Sequence, residues 1–592
     1  MTAPARPRTD AEPVGAGGRV AAERGGPPAP VVGYAQLWAA DPGAWQAAGA
    51  AWCGLTALVE TRAGELSTDA RALRVAWSGR AATAADGRLA GLRGELTSVA
   101  PALIEADQVL AEFAGRLAVA KGRLAAAVAL AEGAGLQIDR HGRVAADPAR
   151  SQPPSERDGP AAARVAAALR AALELAGAAD RAATARLDEL ATAAVDGWQA
   201  PPPPGRPGPG AAPVEVRAWW AGLTPAQRRW LVGHEPTLVG RLDGVPVAAR
   251  YQANRLLLGA RREELVAERR RLLSRVPPGP VDALRLRRVE ARLAGLEALA
   301  DRLGGPQVPR AYLLGLDPTG EGRVVVSLGD PDHADRVVTY VPGMTAGLDD
   351  APGELARVAR QGRCATLDPG EQTAAVLWLD YDAPDFLHEA ATAGQARDAG
   401  PALHRFQEGL RASHEGPPAR QTVLGHSYGS LVVGMAARDH GLAADALVFV
   451  GSPGVGVAQA AELGVPPGQV WASSAPDDVI RLTRPPADLA RQMLLGTSPL
   501  AAVLGLGGQG EHELWFGRDP AGGGFGGRTF PSGRHGHVGY WDPANPALDG
   551  MARIVLGRYS ADGPCPGTTR APVAAWCDVR GPGRWSGSVT RR

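Results

Sequence analysis

Residues 421–437 read Gln421-Thr422-Val423-Leu424-Gly425-His426-Ser427-Tyr428-Gly429-Ser430-Leu431-Val432-Val433-Gly434-Met435-Ala436-Ala437, and this stretch decides how the second half of the chain folds. Its first four residues suit a strand, and its last eight are the small, apolar residues of a closely packed helix. Between them lies G-x-S-x-G, in which the glycines let a strand turn tightly into a helix and leave the serine hydroxyl at the apex. In a 592-residue chain with 77 Gly, the pentapeptide alone also fits a plain Gly-rich turn. The flanking strand and helix give it its context.

Similar apolar runs recur on both sides. Tyr312 to Leu316, Arg323 to Leu328, Val337 to Val341 and Ala374 to Leu379 come before it, and Leu447 to Val450 and Val470 to Ala472 come after. Several are apolar on both faces, as in a parallel sheet covered by helices. The first runs are close together and the later ones alternate with helical segments. The expectation is therefore a mostly parallel sheet with an antiparallel start and helices on both faces, over residues 307–558.

A serine hydroxyl near its free pKa is a poor nucleophile, so a base and an orienting acid are needed, and in this kind of fold they follow the serine in the order acid, base. Ala475-Pro476-Asp477-Asp478-Val479 lies just beyond a strand, where such sheets assemble their sites. Asp477 is the first choice and Asp478 the second; the plain alternative is that both cap a turn. Beyond them His512, His535 and His537 remain. His537 precedes Val538-Gly539-Tyr540-Trp541, which is similar to the His-x-x-Tyr-Trp pattern of several lipases, and it is preferred to His535. A helix from about Asn545 to Leu556 should follow. The oxyanion donors are expected to be the N–H groups of Tyr428 and of Met344 in Val341-Pro342-Gly343-Met344, with Thr345 as the alternative. His535-x-His537 has no companion motif for a metal, and Gly505 to Gly510 spells G-x-G-x-x-G without a strand-to-helix setting, so neither metal nor nucleotide cofactor is expected.

The first half reads as all-α. Residues 1–32 lack large apolar groups and are expected to be disordered. Residues 33–198 read as a helical domain with apolar residues at helical spacing, such as Leu103, Leu110, Phe113, Leu117, Leu124 and Val128. The helices break at Trp77-Ser78-Gly79, where the indole is expected to cover the open end of an antiparallel pair. This resembles the WXG-type helical hairpins associated with type VII secretion, although the Tyr-x-x-x-Asp/Glu tail signal is not found after the second helix. After a loop around Asp139 to Pro154, another helix is expected from about Arg157 to Ala194. A stiff Pro/Gly linker follows over 199–212. A second helical region spans 213–306, with Thr224-Pro225-Ala226-Gln227 as a capping start and a seam from Leu286 to Leu303 that pairs with the run Gln252 to Leu273. Residues 559–592 are expected to be a flexible tail.

Charge excludes some partners. The 63 basic residues nearly cancel 62 acidic ones, and the Arg runs at 261–271 and 285–288 are interleaved with Glu and Leu, so no nucleic-acid partner is expected. No stretch is apolar enough to span a bilayer and the N-terminus lacks a signal-peptide core, so a cytoplasmic location is expected. Cys53 and Cys364 read as buried small apolar residues, whereas Cys565 and Cys577 could close a short loop in an oxidising compartment.

Val341-Pro342-Gly343-Met344, Trp378-Leu379-Asp380-Tyr381-Asp382-Ala383-Pro384, the Gly425 to Gly429 elbow, Gly451-Ser452-Pro453-Gly454 and Asp477-Asp478-Val479 together resemble the bacterial α/β-hydrolase family catalogued as domain of unknown function 1023. Leu242-Asp243-Gly244-Val245-Pro246 and Ala253-Asn254-Arg255 look like the helical region that precedes it, so the resemblance covers roughly 215–545. Asp380 stands where the pattern leads one to expect Gly. The resemblance implies a Ser-Asp-His hydrolase and names no substrate; an apolar lid after Asp477 would favour a small-molecule or lipid-like ester. The long segment between Asp477 and His537, with Met493 to Leu495 and Pro499 to Leu504, reads equally as an apolar lid or as a packed insertion. The leading expectation is an esterase or lipase with a helical N-terminal half that serves placement or binds a helical protein partner. The alternative is an inactive scaffold or secretion-linked interaction protein.

Overall fold

The computed structural model describes residues 32–146, 158–195, 202–208, 210–274, 279–305, 307–317, 319, 322–348, 350–365, 372–384, 387–482 and 513–559. The segments expected to be disordered or flexible at either end, the lid-like stretches, His512 and the Cys565–Cys577 pair lie outside them.

The first half is helical. Helices α1 (Tyr34–Ala39), α2 (Pro42–Ala76) and α3 (Arg80–Gly133) lead into a small hairpin of β1 (Leu136–Ile138) and β2 (Val144–Ala146), where a plain loop is expected from sequence. Helix α4 (Asp158–Val195) then packs on α3 through Leu117, Leu124, Val165 and Leu169. The break between α2 and α3 falls at Trp77-Ser78-Gly79, with Gly79 at φ 107°. The Trp77 indole is 44% exposed, so it does not seal the end of the pair as expected.

Helices α5 (Pro213–Ala221), α6 (Pro225–His234), α7 (Pro236–Arg241), α8 (Val247–Leu273) and α9 (Pro280–Gly304) form the second helical region. Thr224 caps α6 as its sequence suggests: Gln227 N–H donates to Thr224 Oγ1 at 3.2 Å and Thr224 N–H to Gln227 Oε1 at 3.0 Å. Leu272, Val289 and Leu293 zip α8 to α9, and Leu296, Leu299 and Leu303 continue into the core of the following sheet. The long α3 also docks here. Arg310 makes a two-pronged bond to Asp107, at 3.1 and 2.5 Å, and Gln252 donates to Gln108 at 2.8 Å.

Residues from 311 onward form the sheet domain. Its strands are β3 (Ala311–Asp317), β4 (Arg323–Leu328), β5 (Arg336–Val341), β6 (Thr373–Leu379), β7 (Arg420–His426), β8 (Ala446–Val450) and β9 (Val470–Ser473). A two-residue hairpin, β10 (Glu513–Leu514) with β11 (Gly517–Arg518), stands apart, and β12 (Arg528–Thr529) completes an eight-stranded sheet in the order β12-β9-β8-β7-β5-β6-β4-β3. Within this eight-stranded sheet the β3–β4 and β4–β6 pairings are antiparallel and the others parallel, as the spacing of the apolar runs predicts. Helices α10 (Ala351–Cys364), α11 (Leu387–Ala390), α12 (Gly394–Ser413), α13 (Tyr428–His440) and α14 (Pro546–Val555) accompany it. Cys364 is buried and disulfide-bonded, and Cys53 is half-buried, its sulfur accepting from Arg255 Nη2 at 3.3 Å.

The parallel registers determine where the chemistry can sit. Val341 at the end of β5 pairs with Gly425, His426 with Val450, and Val450 with Ser473. The C-terminal ends of β5, β7, β8 and β9 therefore lie along one edge, and the loops carrying Met344, Ser427 and Asp478 leave from it.

Candidate active site

Ser427 sits in the bend between β7 and α13 with φ 54° and ψ −128°, a backbone conformation that non-glycine residues rarely adopt. Its surroundings hold it there. Ser427 N–H donates to Val450 O at 3.1 Å, and Ser430 Oγ donates to Gly425 O at 3.0 Å. The flanking glycines are required by contact: a Cβ on Gly425 would lie 2.6 Å from Ser430 Cα, and one on Gly429 would lie 2.2 Å from Val341 O. The helix thus starts in direct contact with the neighbouring strands.

The base expected from sequence lies beside it. His537 Nε2 is 2.9 Å from Ser427 Oγ. On the other side of the ring, His537 Nδ1 is 2.8 Å from Asp478 Oδ1. Since a carboxylate only accepts, Nδ1 carries the proton and Nε2 is left to accept from the serine hydroxyl. His535 turns elsewhere and pairs with Asp542 Oδ2 at 3.0 Å.

Of the two adjacent aspartates, Asp478 and not the first choice Asp477 stands against the His537 ring. Asp478 N–H closes a turn onto Ala475 O at 3.1 Å, which brings the Asp478 side chain beneath the histidine and leaves Asp477 facing solvent. Asp477 does contribute to the arrangement: its Oδ1 accepts from Gly536 N–H at 3.1 Å, next to His537 in sequence. Asp478 is buried and satisfied on both oxygens, since Oδ1 also accepts from Ile480 N–H at 2.9 Å and Oδ2 accepts from the Tyr540 hydroxyl at 2.7 Å. Burial alone would raise its carboxyl pKa. The His537 bond and charge, the Ile480 N–H and the Tyr540 hydroxyl outweigh it and hold the pKa below the ordinary value.

Tyr540 is half of the aromatic pair noted after His537. Its hydroxyl also accepts from Ala475 N–H at 2.8 Å, which ties the acid turn to the base loop. Burial first, and then the Asp478 charge, push its phenol far above the ordinary value, so it remains a donor.

Next to the elbow, Pro342-Gly343-Met344 leaves β5. A Cβ on Gly343 would lie 2.6 Å from Ser427 Cβ, so only glycine lets this loop approach Ser427 so closely. The Tyr381 hydroxyl donates to Pro342 O at 2.6 Å, and Thr345 N–H donates to Pro384 O at 2.9 Å. The Trp378 to Pro384 segment thus braces the loop, and it engages the N–H of Thr345 but not that of Met344. Tyr428, as the first residue of α13, has no acceptor for its N–H within the helix. Its hydroxyl donates to Thr392 O at 2.7 Å.

Sequence reasoning passed over His426, the residue before Ser427. It is buried against Trp541, Tyr540 and the His537 ring, with centroid distances of 5.2, 6.0 and 4.9 Å. Its Nε2 lies 2.8 Å from the backbone carbonyl oxygen of His537. Burial first, and then the nearby His537, lower its pKa to about 3. Nothing in the sequence marked it, because it occupies the variable position of G-x-S-x-G.

Among the described residues, no group of three or more His, Cys, Asp or Glu is placed to hold a metal ion, and no helix is long and apolar enough to cross a membrane.

Residues 317–489 match the model of a family described as alpha/beta hydrolase. The chain is 32% identical over 377 residues to the uncharacterized protein Rv2079 of Mycobacterium tuberculosis; the match covers 59% of this chain and 56% of that protein, so the chain spans only about half of that relative's length. It is 33% identical over 205 residues to the uncharacterized protein Mb0988c of Mycobacterium bovis and equally to Rv0963c of Mycobacterium tuberculosis, covering 33% of this chain and 76% of each relative. On this sequence likeness, and with an elbow at the C-terminal edge of a mostly parallel eight-stranded sheet, the chain belongs to the same family as these mycobacterial proteins and carries an alpha/beta hydrolase domain.

Proposed function

We propose that this chain is a serine-dependent acyl hydrolase that cleaves an ester through an acyl intermediate on Ser427. The observation that carries this reading is the unbroken path from Ser427 Oγ to His537 Nε2 at 2.9 Å and from His537 Nδ1 to Asp478 Oδ1 at 2.8 Å. In this mechanism His537 takes the hydroxyl proton as Ser427 attacks the ester carbonyl, then gives it to the departing alkoxide. Asp478 fixes the ring tautomer and stabilises the imidazolium, the role expected of Asp477 from sequence. The developing oxyanion is received by the N–H groups of Tyr428 and Met344. Water, deprotonated by His537, then hydrolyses the acyl-Ser427 ester and restores the serine.

A fluorophosphonate probe tests this directly. Wild type should be labelled, and Ser427→Ala should lose both labelling and ester turnover, the latter by at least ~10³-fold. Equal labelling of both proteins would refute the assignment.

A second reading, a scaffold that binds a protein partner, is favoured by one feature of the helical half. Trp38, Trp45 and Trp52 recur every seven residues and are 53%, 41% and 40% exposed. Such a surface suits the apolar face of a partner helix. Failure of the probe to label folded wild type, together with loss of a purified helical partner on Trp45→Ser, would favour this reading.

A further inference from the structure

His426 and Ser427 are consecutive residues, yet their side chains engage the base from different directions. Ser427 Oγ meets the imidazole of His537, whereas His426 Nε2 meets the main-chain carbonyl of the same residue at 2.8 Å. A carbonyl oxygen only accepts, so His426 donates through Nε2–H. The contact is enclosed: His426 is buried, and the Trp541 ring stands at 88° to it with centroids 5.2 Å apart.

We propose that His426 is a positioning residue, whose Nε2–H holds the His537 backbone so that the base is clamped to the strand that carries its nucleophile. This inference rests on the acyl hydrolase reading. His537 lies on a loop without regular structure, so its ring depends on side-chain anchors for its place. Asp478 and Ser427 hold the ring, Asp477 holds Gly536, and His426 alone among these holds the main chain of His537 itself. A shift of about 1 Å at such a point costs on the order of 10²-fold in rate. Keeping His426 neutral matters as well. A proton on it would put a second positive charge beside the imidazolium that His537 must become, with the ring centroids 4.9 Å apart.

Side-chain reach tests the clamp. The amide nitrogen of Gln stands about as far from the backbone as His Nε2, that of Asn one bond short, and Met fills the space without a donor. In the full chain, His426→Gln should keep kcat within about threefold of wild type. His426→Asn and His426→Met should lower kcat by about 10- to 100-fold with KM little changed. Thermal midpoints recorded alongside separate this from a packing role, because a folded His426→Met protein with an unchanged midpoint and a lost kcat has lost position, not stability. If His426→Met does not fold, the comparison of Gln with Asn decides the matter. Equal kcat in wild type, Gln and Asn variants would overturn the clamp, as would an equal loss in Gln and Asn. Ser427→Ala run in parallel tests the underlying reading: if it retains turnover, the acyl hydrolase assignment has failed, whereas its loss with unaffected His426 variants removes the clamp alone.

Discussion

The Tyr540 hydroxyl donates to Asp478 Oδ2 at 2.7 Å while His537 Nδ1 lies 2.8 Å from Oδ1 of the same carboxylate. With a donor on each oxygen, the carboxylate plane is fixed from two sides. Tyr540→Phe removes one donor from the ionised form, so the Asp478 pKa should rise. Turnover at neutral pH is then expected to be lower by about three- to tenfold. Unchanged turnover would contradict this.

The two adjacent aspartates should separate sharply in kinetics. Asp478→Asn keeps the shape but lets the histidine adopt the wrong tautomer, and kcat should fall by about 10³- to 10⁴-fold. Asp477→Asn only weakens the bond to Gly536, and a loss below about tenfold is expected. Steady-state rates on a single chromogenic ester distinguish the two.

Acid should destabilise the fold through His426. Its pKa falls from 6.5 to about 3 on folding, so between those values the unfolded chain binds a proton that the native chain does not. Its contribution is fully present above pH 6.5 and is lost as pH falls towards about 3, at a slope of about 1.4 kcal/mol per pH unit. The groups acting on it include His537, Arg357 and Asp478; the first two oppose its charge and the third favours it. Denaturant midpoints measured from pH 7 to pH 4 should decline less steeply in His426→Gln, and parallel slopes would count against this assignment.

Gly343→Ala should uncouple activity from folding. The added methyl would sit 2.6 Å from Ser427 Cβ and 3.1 Å from Ser427 Oγ, inside contact distance. Fluorophosphonate labelling should slow by about 100-fold or more while the far-UV spectrum is retained. Normal labelling would mean that the loop stands farther from the nucleophile.

Loss of the Asp107 carboxylate should be felt across both halves of the chain. Asp107→Ala leaves Arg310, half-buried against Tyr251 and Tyr312, without its counter-charge. A destabilisation of about 3 kcal/mol is expected by chemical unfolding, and a change under about 0.5 kcal/mol would argue that α3 does not need this pair to dock.

The sheet was legible because its central strands are buried on both faces and therefore appear as unbroken apolar runs. The edge strand Arg528–Thr529, two residues long and exposed, carries no such pattern, and neither does the β1–β2 hairpin. Ser427 and His537, which stand 2.9 Å apart, could be singled out from chain order and from the strand, turn and helix around Ser427. Choosing between Asp477 and Asp478 depended on which way two successive side chains leave a tight turn, and the turn closes only through a backbone bond from Asp478 to Ala475 that composition does not encode. Tyr540 and His426 act through tertiary contacts with segments 62 and 111 residues away, so no local motif discloses them.

The bend at Ser427, with φ 54° and ψ −128°, is a place where glycine would sit more comfortably than the residue that is there. Ser427→Gly should therefore yield a protein more robust to heat, by about 1–2 kcal/mol, and inert as a catalyst. Laboratory evolution that selects this chain for thermostability alone would drift towards that replacement and erase the proposed nucleophile while improving the fold.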